Sequence, residues 1–204
     1  MLKSSDGDWR AARRANARAA VLEAAWGLVR DDGLAALSLR ELAKRAGITT
    51  PTLYAYFESK NAILDAMFAQ AAQSFVELMR SLPASDDPVA DMIASVRNFA
   101  DFCVSDVPRY QLLFQHSVPG FTPSPESYGI AVSALALARD LLARNGVHDP
   151  RHLDIWTAIT AGLVDQQIAN DPGGDRWTGL IEDVTEMFLA HYARGESTEY
   201  KGES

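Results

Sequence analysis

Apolar residues recur every three to four positions along this chain, and no stretch alternates between apolar and polar residues as a half-buried strand would. Residues 10–30 show the pattern clearly, with an apolar stripe that begins at Val21 and ends at Val29. Asp31 and Asp32 follow, and Gly33 suits the left-handed cap that closes many helices. The periodicity predicts an all-α fold.

Two short helices joined through a glycine are predicted next. Ser38 and Glu41 form a capping-box pair that begins a helix over residues 39–46. Gly47 interrupts the pattern, and a second short helix follows that ends near Phe57. This length and punctuation are typical of a helix-turn-helix.

The later helices are longer and are separated by clear breaks in the pattern. They are predicted over residues 59–82, 89–107, 108–115, 126–144, 150–170 and 177–194. The longest irregular stretch, residues 118–127, holds three prolines. No internal repeat is visible, which argues against a helical solenoid. We expect about nine helices in two domains, a head over residues 1–60 and a body over residues 61–204.

The composition is that of an ordinary folded protein. The chain has 204 residues, of which 48% are hydrophobic and 23% charged, and a single cysteine, Cys103. One cysteine cannot form an intramolecular disulfide, which fits a reducing compartment. The first residues lack an apolar signal segment, and no apolar run approaches the roughly 20 residues of a membrane span. We therefore expect a cytoplasmic protein with no membrane partner.

Charge is distributed unevenly along the chain. The net charge is −8, yet residues 9–60 hold nine basic and five acidic residues, whereas residues 71–204 hold nine basic and nineteen acidic ones. A basic N-terminal quarter on an acidic body is expected where one small module binds an anionic partner. Accidental clustering on solvated helix faces is the alternative.

The second helix of the predicted helix-turn-helix carries polar side chains that suit DNA. Its outer side is predicted to present Thr49, Thr50, Thr52 and Tyr54. Hydroxyl groups of this kind can reach base edges and phosphates. A purely structural helical hairpin has no need for so many exposed hydroxyls, so the segment indicates contact with nucleic acid.

The stretch GITTPTLYAYFESKNAILDAMF, which contains these hydroxyls, resembles the signature of the tetracycline-repressor-like (TetR) family of transcriptional regulators. The similarity covers residues 17–68, with the family's spacing and no insertion, and beyond Phe75 it extends only to the family's general plan. The resemblance implies a homodimer with N-terminal DNA-binding heads. It also implies a C-terminal body that binds a small ligand and dimerises.

The resemblance assigns DNA contacts residue by residue. The four hydroxyl residues named above match recognition-helix positions that face the major groove. Ser38, Tyr56 and Lys60 match phosphate-contacting positions, and Arg40 matches a position that reaches a guanine in some members. Tyr56 departs from the histidine that many members carry, so its ring could serve packing alone.

A basic stripe precedes the helix-turn-helix. Arg10, Arg13, Arg14 and Arg18 have the spacing that places them on one face of a helix. The stripe could meet phosphates or the minor groove beside the head. A solvated face is an equally good interpretation, and both stay open at this point.

The body offers aromatic residues but no motif. Because the ligand pocket of family members lies among these helices, the resemblance implies a small hydrophobic effector. The predicted ligand-binding residues are Phe99, Cys103, Phe114, Tyr128 and Trp156. Each of them could instead belong to the core. We also expect residues 118–127 to cover the pocket entrance.

The last two predicted helices are apolar on more than one side, and such helices must be covered on both sides. Their apolar residues are Ile155, Trp156, Ile159, Leu163, Val164, Ile168, Leu180, Ile181, Val184, Met187, Phe188 and Tyr192. Two helices from each of two copies would form a four-helix seam, which is also the family's usual arrangement. We therefore predict a homodimer through these helices. Asp165 and Gln166 could orient an effector or form hydrogen bonds across the seam.

The sequence carries no phosphate-binding loop, nucleophile elbow, paired carboxylates or zinc-site spacing. No catalytic residue, metal site or cofactor is therefore predicted, and we do not expect an enzyme. We predict a ligand-responsive repressor that binds an inverted-repeat DNA operator as a dimer and is released by a small hydrophobic molecule. The alternative is a helical small-molecule-binding protein or enzyme that does not act on DNA.

Overall fold

The computed structural model describes residues 5–199, with side chains from Trp9 to Ala193. This range contains nine α-helices, short 3₁₀ turns at Leu34–Ala36 and Thr178–Leu180, and no strand. The helices are α1 (Ser5–Asp32), α2 (Leu39–Arg45), α3 (Thr50–Tyr54), α4 (Lys60–Ser81), α5 (Pro88–Val104), α6 (Val107–Phe114), α7 (Pro125–Arg144), α8 (Pro150–Asn170) and α9 (Ile181–Glu199). The predicted all-α fold is confirmed. The outer limits of the predicted domains, residues 1 and 204, lie outside the described residues.

Side-chain caps begin α2, α3 and α4, and the cap at Ser38 is the one that the capping-box pair predicts. Ser38, Thr49 and Ser59 each accept a hydrogen bond from the backbone N–H three residues on, at 3.2, 3.3 and 3.0 Å. These bonds satisfy amides that have no partner within the first turn of a helix. Gly47, at a φ of 67°, makes the left-handed turn between α2 and α3 that a side chain would strain.

Helix α3 is shorter than predicted, because it ends at Tyr54 rather than near Phe57. The backbone amides of Tyr56 and Phe57 both bond to the carbonyl oxygen of Leu53, each at 3.0 Å, so the chain tightens into a turn there. That turn carries the ring of Phe57 into the core, where it is 2% exposed. At the other end of the head, α1 begins at Ser5, ahead of the predicted Arg10.

Helix α4 is the spine of the molecule. Its buried residues are Ile63, Leu64, Met67, Phe68, Ala71, Ala72, Phe75 and Val76. All of them except Val76 belong to a hydrophobic core that runs without a break from head residues such as Val29 and Leu53 to body residues such as Trp156. Because α4 starts beside α3 and ends in the body, any displacement of this helix affects both halves.

The body surrounds the second half of α4. Helix α7 packs along α4, and α5 packs against α6, α8 and α9. Arg30, near the end of α1, forms an ion pair at 2.9 Å with Asp106, the buried N-cap residue of α6, and this pair ties the head to the body. Among the described helices, none combines the length and the apolar character needed to cross a membrane.

Candidate functional site

The hydroxyl residues of α3 are accessible on the surface of the head. Thr49, Thr52 and Tyr54 are exposed, Tyr54 by 51%, and Thr50 is half-buried. Leu53 is fully buried on the opposite side and fixes the rotation of α3 about its axis. The structure therefore brings the four predicted base-facing residues together on one short accessible helix and its N-cap.

Hydrogen bonds divide these four residues into two pairs. The hydroxyl oxygens of Thr49 and Thr52 lie 2.8 Å apart, and that of Thr49 also caps α3. By contrast, the hydroxyl groups of Thr50 and Tyr54 bond to none of the described residues. A hydroxyl without an internal partner can donate to and accept from a base edge. Thr50 and Tyr54 are thus the members of the set with free hydrogen-bonding capacity.

Two cations in the helices that precede and follow α3 have no acidic partner among the described residues. Arg40 is exposed on α2, and Lys60 is half-buried in the first turn of α4. The neighbouring Lys44 and Arg45 are each held in an ion pair, at 3.2 and 2.6 Å. Arg40 and Lys60 therefore keep their charge available for an anion such as a phosphate.

The two remaining predicted phosphate contacts differ in accessibility. Ser38 is exposed, and because its hydroxyl oxygen accepts the capping bond, its O–H remains able to donate to an anion. The ring of Tyr56 is half-buried and packs against the core. Tyr56, which replaces the histidine of many family members, therefore makes the packing contact that was one of its possible roles.

The arginine stripe on α1 splits into two halves. The guanidinium carbons of Arg10 and Arg13 each lie 6.0 Å from the ring centroid of Trp9. Arg14 and Arg18 instead turn towards the chain that follows α3, where both donate hydrogen bonds to backbone carbonyl oxygens. The four arginines therefore do not form one uniform solvated face.

A cavity of about 660 Å³ lies in the body among α4, α5, α6, α7 and α8. Phe75, Phe99 and Phe114 form an aromatic cluster in its wall, with ring centroids 5.4 to 5.9 Å apart. Residues of α7 supply a wall of small and aliphatic side chains: Ala131, Ala134, Leu135, Ala138 and Leu141. A cavity of this size and lining suits a small, largely apolar molecule.

Polar side chains line another part of the cavity. Asp91 of α5 pairs with Arg144 of α7 at 2.8 Å and accepts hydrogen bonds from the hydroxyl and the backbone N–H of Ser85, at 2.7 and 3.0 Å. The two donors of Ser85, helped by Arg144, hold the pKa of Asp91 below its usual range. Nowhere in the described part of the chain do three potential metal ligands come together.

The cavity is lined by three of the five predicted ligand-binding residues: Phe99, Phe114 and Trp156. The other two, Cys103 and Tyr128, do not line it. The side chain of Cys103 faces the core with no exposed surface, and burial raises the pKa of its thiol well above the usual range. Tyr128 is 51% exposed on the outside of α7. The sequence shows that α5 and α7 are apolar, but not which face of each helix borders an empty space.

The α7 wall and the contribution of α4 to the cavity were not predicted from the sequence. Three alanines on α7, at positions 131, 134 and 138, recur with helical spacing and leave the room that the cavity occupies. This spacing of small residues was the available signal. Phe75 and Met79 bring α4 itself into the cavity wall, so a bound molecule would touch the helix that leads to the head.

Asp165 and Gln166 lie outside the cavity lining, so neither stands where it would orient an effector there. Asp165 accepts hydrogen bonds from the hydroxyl of Tyr110 at 2.7 Å and from the side chain of Gln115 at 2.6 Å. Burial of Tyr110, and in second place its hydrogen bond to Asp165, raise the pKa of its hydroxyl. Asp165 therefore ties α8 to the region of α6, and Gln166 bonds within α8, to Asn170 at 2.7 Å.

The expectation that residues 118–127 cover the pocket entrance is wrong, because none of them lines the cavity. This segment lies against the first half of α4 instead. Asp65 of α4 accepts hydrogen bonds from the backbone N–H and hydroxyl of Ser124, at 2.7 and 3.0 Å, and from the hydroxyl of Ser127, at 3.0 Å. Since Ser124 is the N-cap residue of α7, these three bonds join the start of α7 to α4. We call this arrangement the Asp65 clamp.

The residues predicted to form the dimer seam divide between core and surface. Those buried within the protomer are Trp156, Val164, Ile181 and Phe188. Ile155, Leu180 and Met187 are exposed, by 36%, 39% and 62%, and the others are half-buried. Helices α8 and α9 thus keep accessible apolar side chains in addition to those that complete the core of the protomer.

Comparison with known proteins matches residues 21–67, from α1 into α4, to the family described as bacterial regulatory proteins, tetR family. The matched segment contains α2, α3 and the predicted DNA contacts Ser38, Arg40 and Lys60. It stops short of the cavity and of the accessible faces of α8 and α9.

Relatives and solved structures extend the similarity into the body. The HTH-type transcriptional regulator Mb1846 of Mycobacterium bovis is 28% identical, over 79% of this chain and 76% of its own length. The tetracycline repressor protein class C of Escherichia coli is 39% identical, over 34% of this chain and 31% of its own length. The transcriptional regulator FadR of Bacillus subtilis, solved in complex with stearoyl-CoA, shares the fold with a TM-score of 0.66 and 17% identity, over 84% of this chain and 97% of its own.

Proposed function

The chain belongs to the TetR family of bacterial regulatory proteins and is a DNA-binding transcriptional regulator, and we propose that it is a dimeric repressor released from an inverted-repeat operator by a small hydrophobic effector. The relatives named above are transcriptional regulators, and one of them is a repressor by name. We assign DNA binding to residues 1–60 and effector binding and dimerisation to residues 61–204. The observation that carries the proposal is the accessible, hydroxyl-bearing α3, preceded and followed along the chain by cations that have no acidic partner among the described residues.

Within the head, we assign the reading of bases to side chains whose hydrogen-bonding groups are free. The phosphate contacts would fix the orientation of the head on the duplex. Thr50, Tyr54 and Arg40 would read base edges in the major groove. Ser38, Tyr56 and Lys60 would bind the phosphates on either side. Thr49 and Thr52, which bond to each other, would meet the DNA surface with only part of their hydrogen-bonding capacity.

Replacing Lys60 by alanine is expected to weaken binding to every DNA sequence alike and to lower the slope of log K against log salt by about 1, because one phosphate contact is lost. Replacing Thr50 by the isosteric valine is expected to change sequence preference and leave the slope unaltered. Anisotropy titrations on operator and unrelated duplexes, at several salt concentrations, measure both effects. Arg139→Ala, which removes an exposed cation of the body, is the matched control.

The operator for these titrations is the duplex that the wild-type protein selects from a random library. Equal effects of Lys60→Ala and Thr50→Val on all duplexes would contradict the assignment of Thr50 as a reader. A wild-type protein that selects no sequence would contradict DNA regulation by this chain and favour a helical small-molecule-binding protein.

The cavity supports a small hydrophobic effector, and so does the fold shared with FadR, which was solved with stearoyl-CoA. A compound present at about 100 times its Kd stabilises its protein by about 2.7 kcal/mol. For a chain of this size we expect Tm to rise by about 5–10 °C. Long-chain acyl-CoA esters and other apolar compounds are the first probes for a thermal-shift screen.

A variant with a filled cavity tests where such a compound binds. Ala134→Phe places a ring in the space beside α7 and is expected to abolish the Tm rise while DNA binding is kept. Ala136→Phe puts the same ring on an exposed position of the same helix and is expected to leave the rise intact. Equal responses of the two variants would place the effector outside this cavity.

A further inference from the structure

Two arginines of α1 reach across the head to the backbone that follows α3. The guanidinium of Arg14 donates a hydrogen bond to the carbonyl oxygen of Ala55 at 3.1 Å, and that of Arg18 donates to the carbonyl oxygen of Tyr56. The guanidinium carbon of Arg18 also lies 4.1 Å from the ring centroid of Phe57. These contacts join segments that are 38 and 41 residues apart in the chain.

The backbone at this point needs such partners. Helix α3 has only five residues, and the carbonyl oxygens at the end of a helix find no N–H donor within it. Ala55 is the C-cap residue and Tyr56 follows it, so their carbonyl oxygens lie where cationic donors are most favourable. A short helix held on one side by Leu53 alone could still tilt, whereas bonds at its C-terminal end fix its direction.

We propose that Arg14 and Arg18 are positioning residues for DNA recognition: they hold the C-terminal end of α3 at the angle that presents Thr50 and Tyr54 to the bases. They act through the carbonyl oxygens of Ala55 and Tyr56 and not as phosphate contacts. This inference rests on the DNA interface proposed above. It also divides the arginine stripe, because Arg10 and Arg13 make no hydrogen bond to the end of α3 and lie near the ring of Trp9 instead.

The role of Arg18 depends on the shape of the guanidinium and not only on its charge. A planar guanidinium can lie over a ring and donate a hydrogen bond at its edge at the same time. A lysine ammonium at the same position keeps the charge but cannot make both contacts with the same geometry. Arg18→Lys therefore separates positioning from simple attraction to phosphate.

The test compares Arg18→Lys, Arg18→Ala and Arg14→Ala with Arg10→Ala, using the duplex selected by the wild-type protein and a scrambled duplex of equal length. We expect Arg18→Lys to lower the ratio of operator affinity to scrambled-duplex affinity by about tenfold, the effect of losing a hydrogen bond to a charged group. Its salt slope and its affinity for the scrambled duplex are expected to stay unchanged. Arg10→Ala is expected to leave the ratio intact.

A ratio in Arg18→Lys equal to that of the wild type, with a salt slope lowered by about 1 in Arg18→Ala, would overturn the proposal and make Arg18 a phosphate contact. If the ratio falls only in proportion to a lowered Tm of the protein, the role of Arg18 is structural, which also overturns the proposal.

A second measurement needs no DNA and so separates this inference from the proposed function. In the free protein, amide hydrogen exchange at Tyr56 and Phe57 is expected to be about tenfold faster in Arg18→Lys, while the amides of α2 keep the wild-type rate. Unchanged exchange at the end of α3 would overturn the positioning role even if the chain binds its operator as proposed.

Discussion

The Met187→Glu substitution is expected to convert the protein into monomers and to weaken binding to a two-half-site operator by about 100-fold or more. Met187 is 62% exposed on α9, so the substitution leaves the core of the protomer intact. In the proposed four-helix seam, a carboxylate at this position would be buried without a partner, which costs about 3–5 kcal/mol. A monomer also loses the second half-site, which a dimer binds at high effective concentration.

Sedimentation of the free protein and anisotropy with the operator measure the two consequences separately. Val89→Glu is the matched control, since Val89 is 37% exposed in the first turn of α5, where a carboxylate is tolerated. A Met187→Glu protein that sediments as the wild type does would place the dimer interface elsewhere. A monomer that binds operator as tightly as the wild type would contradict the two-headed mode of binding.

Met187 and its neighbour Phe188 show the limit of what apolar periodicity predicts. Met187 and Phe188 are adjacent on an apolar helix, and the sequence ranks both as seam residues. In the structure Phe188 is 2% exposed, with its ring centroid 4.8 Å from those of Trp156 and Tyr192. Phe188→Glu would therefore disrupt the protomer itself. Apolar periodicity shows that a side must be covered, but it does not show whether the cover is the same chain or another.

Local signals predicted most of the fold and the composition of the head. The caps at Ser38, Thr49 and Ser59 lie within a few residues of the amides they bind, so sequence spacing is enough to find them. The hydroxyl face of α3 follows for the same reason, because one buried leucine sets its orientation. The end of α3 was predicted about three residues too far along the chain, since the burial of Phe57 depends on the rest of the core.

Contacts between distant segments were beyond the reach of the sequence. Cys103 and Phe99 lie one turn apart on α5, yet one faces the core and the other the cavity. The bonds of Arg14 and Arg18 to the end of α3 depend on how α1 crosses the head. Asp65 reads as an ordinary surface acid of α4, because its partners are 59 and 62 residues away.

The Asp65→Ala substitution is expected to uncouple the effector from DNA release. Helix α7 forms a wall of the cavity, and the Asp65 clamp joins its N-terminus to α4 one turn beyond Lys60. A molecule that displaces α7 would therefore move the start of α4, and with it the head. Without the clamp, the start of α7 loses its hydrogen bonds to α4 and keeps only the packing of the two helices, while the cavity and the reading residues are left unchanged.

The expected size of the effect follows from the strength of allosteric coupling. Coupling of about 1–3 kcal/mol changes DNA affinity by about 5- to 150-fold. In Asp65→Ala we expect the compound with the largest thermal shift still to raise Tm, yet to change operator affinity by less than about threefold. Anisotropy titrations with and without the compound measure the coupling, and thermal shift confirms that the compound is bound.

The control for this test should lie on the same helix and break a comparable bond. Gln73 of α4 donates a hydrogen bond at 2.7 Å to Glu77, within α4 and on its exposed side, so Gln73→Ala removes a bond that joins no other element. We expect Gln73→Ala to respond to the compound as the wild type does. If Asp65→Ala also responds fully, then the signal passes from cavity to head by another contact. The remaining routes would be the packing of α7 along α4 and the direct contact through Phe75 and Met79, which carry α4 itself into the cavity wall.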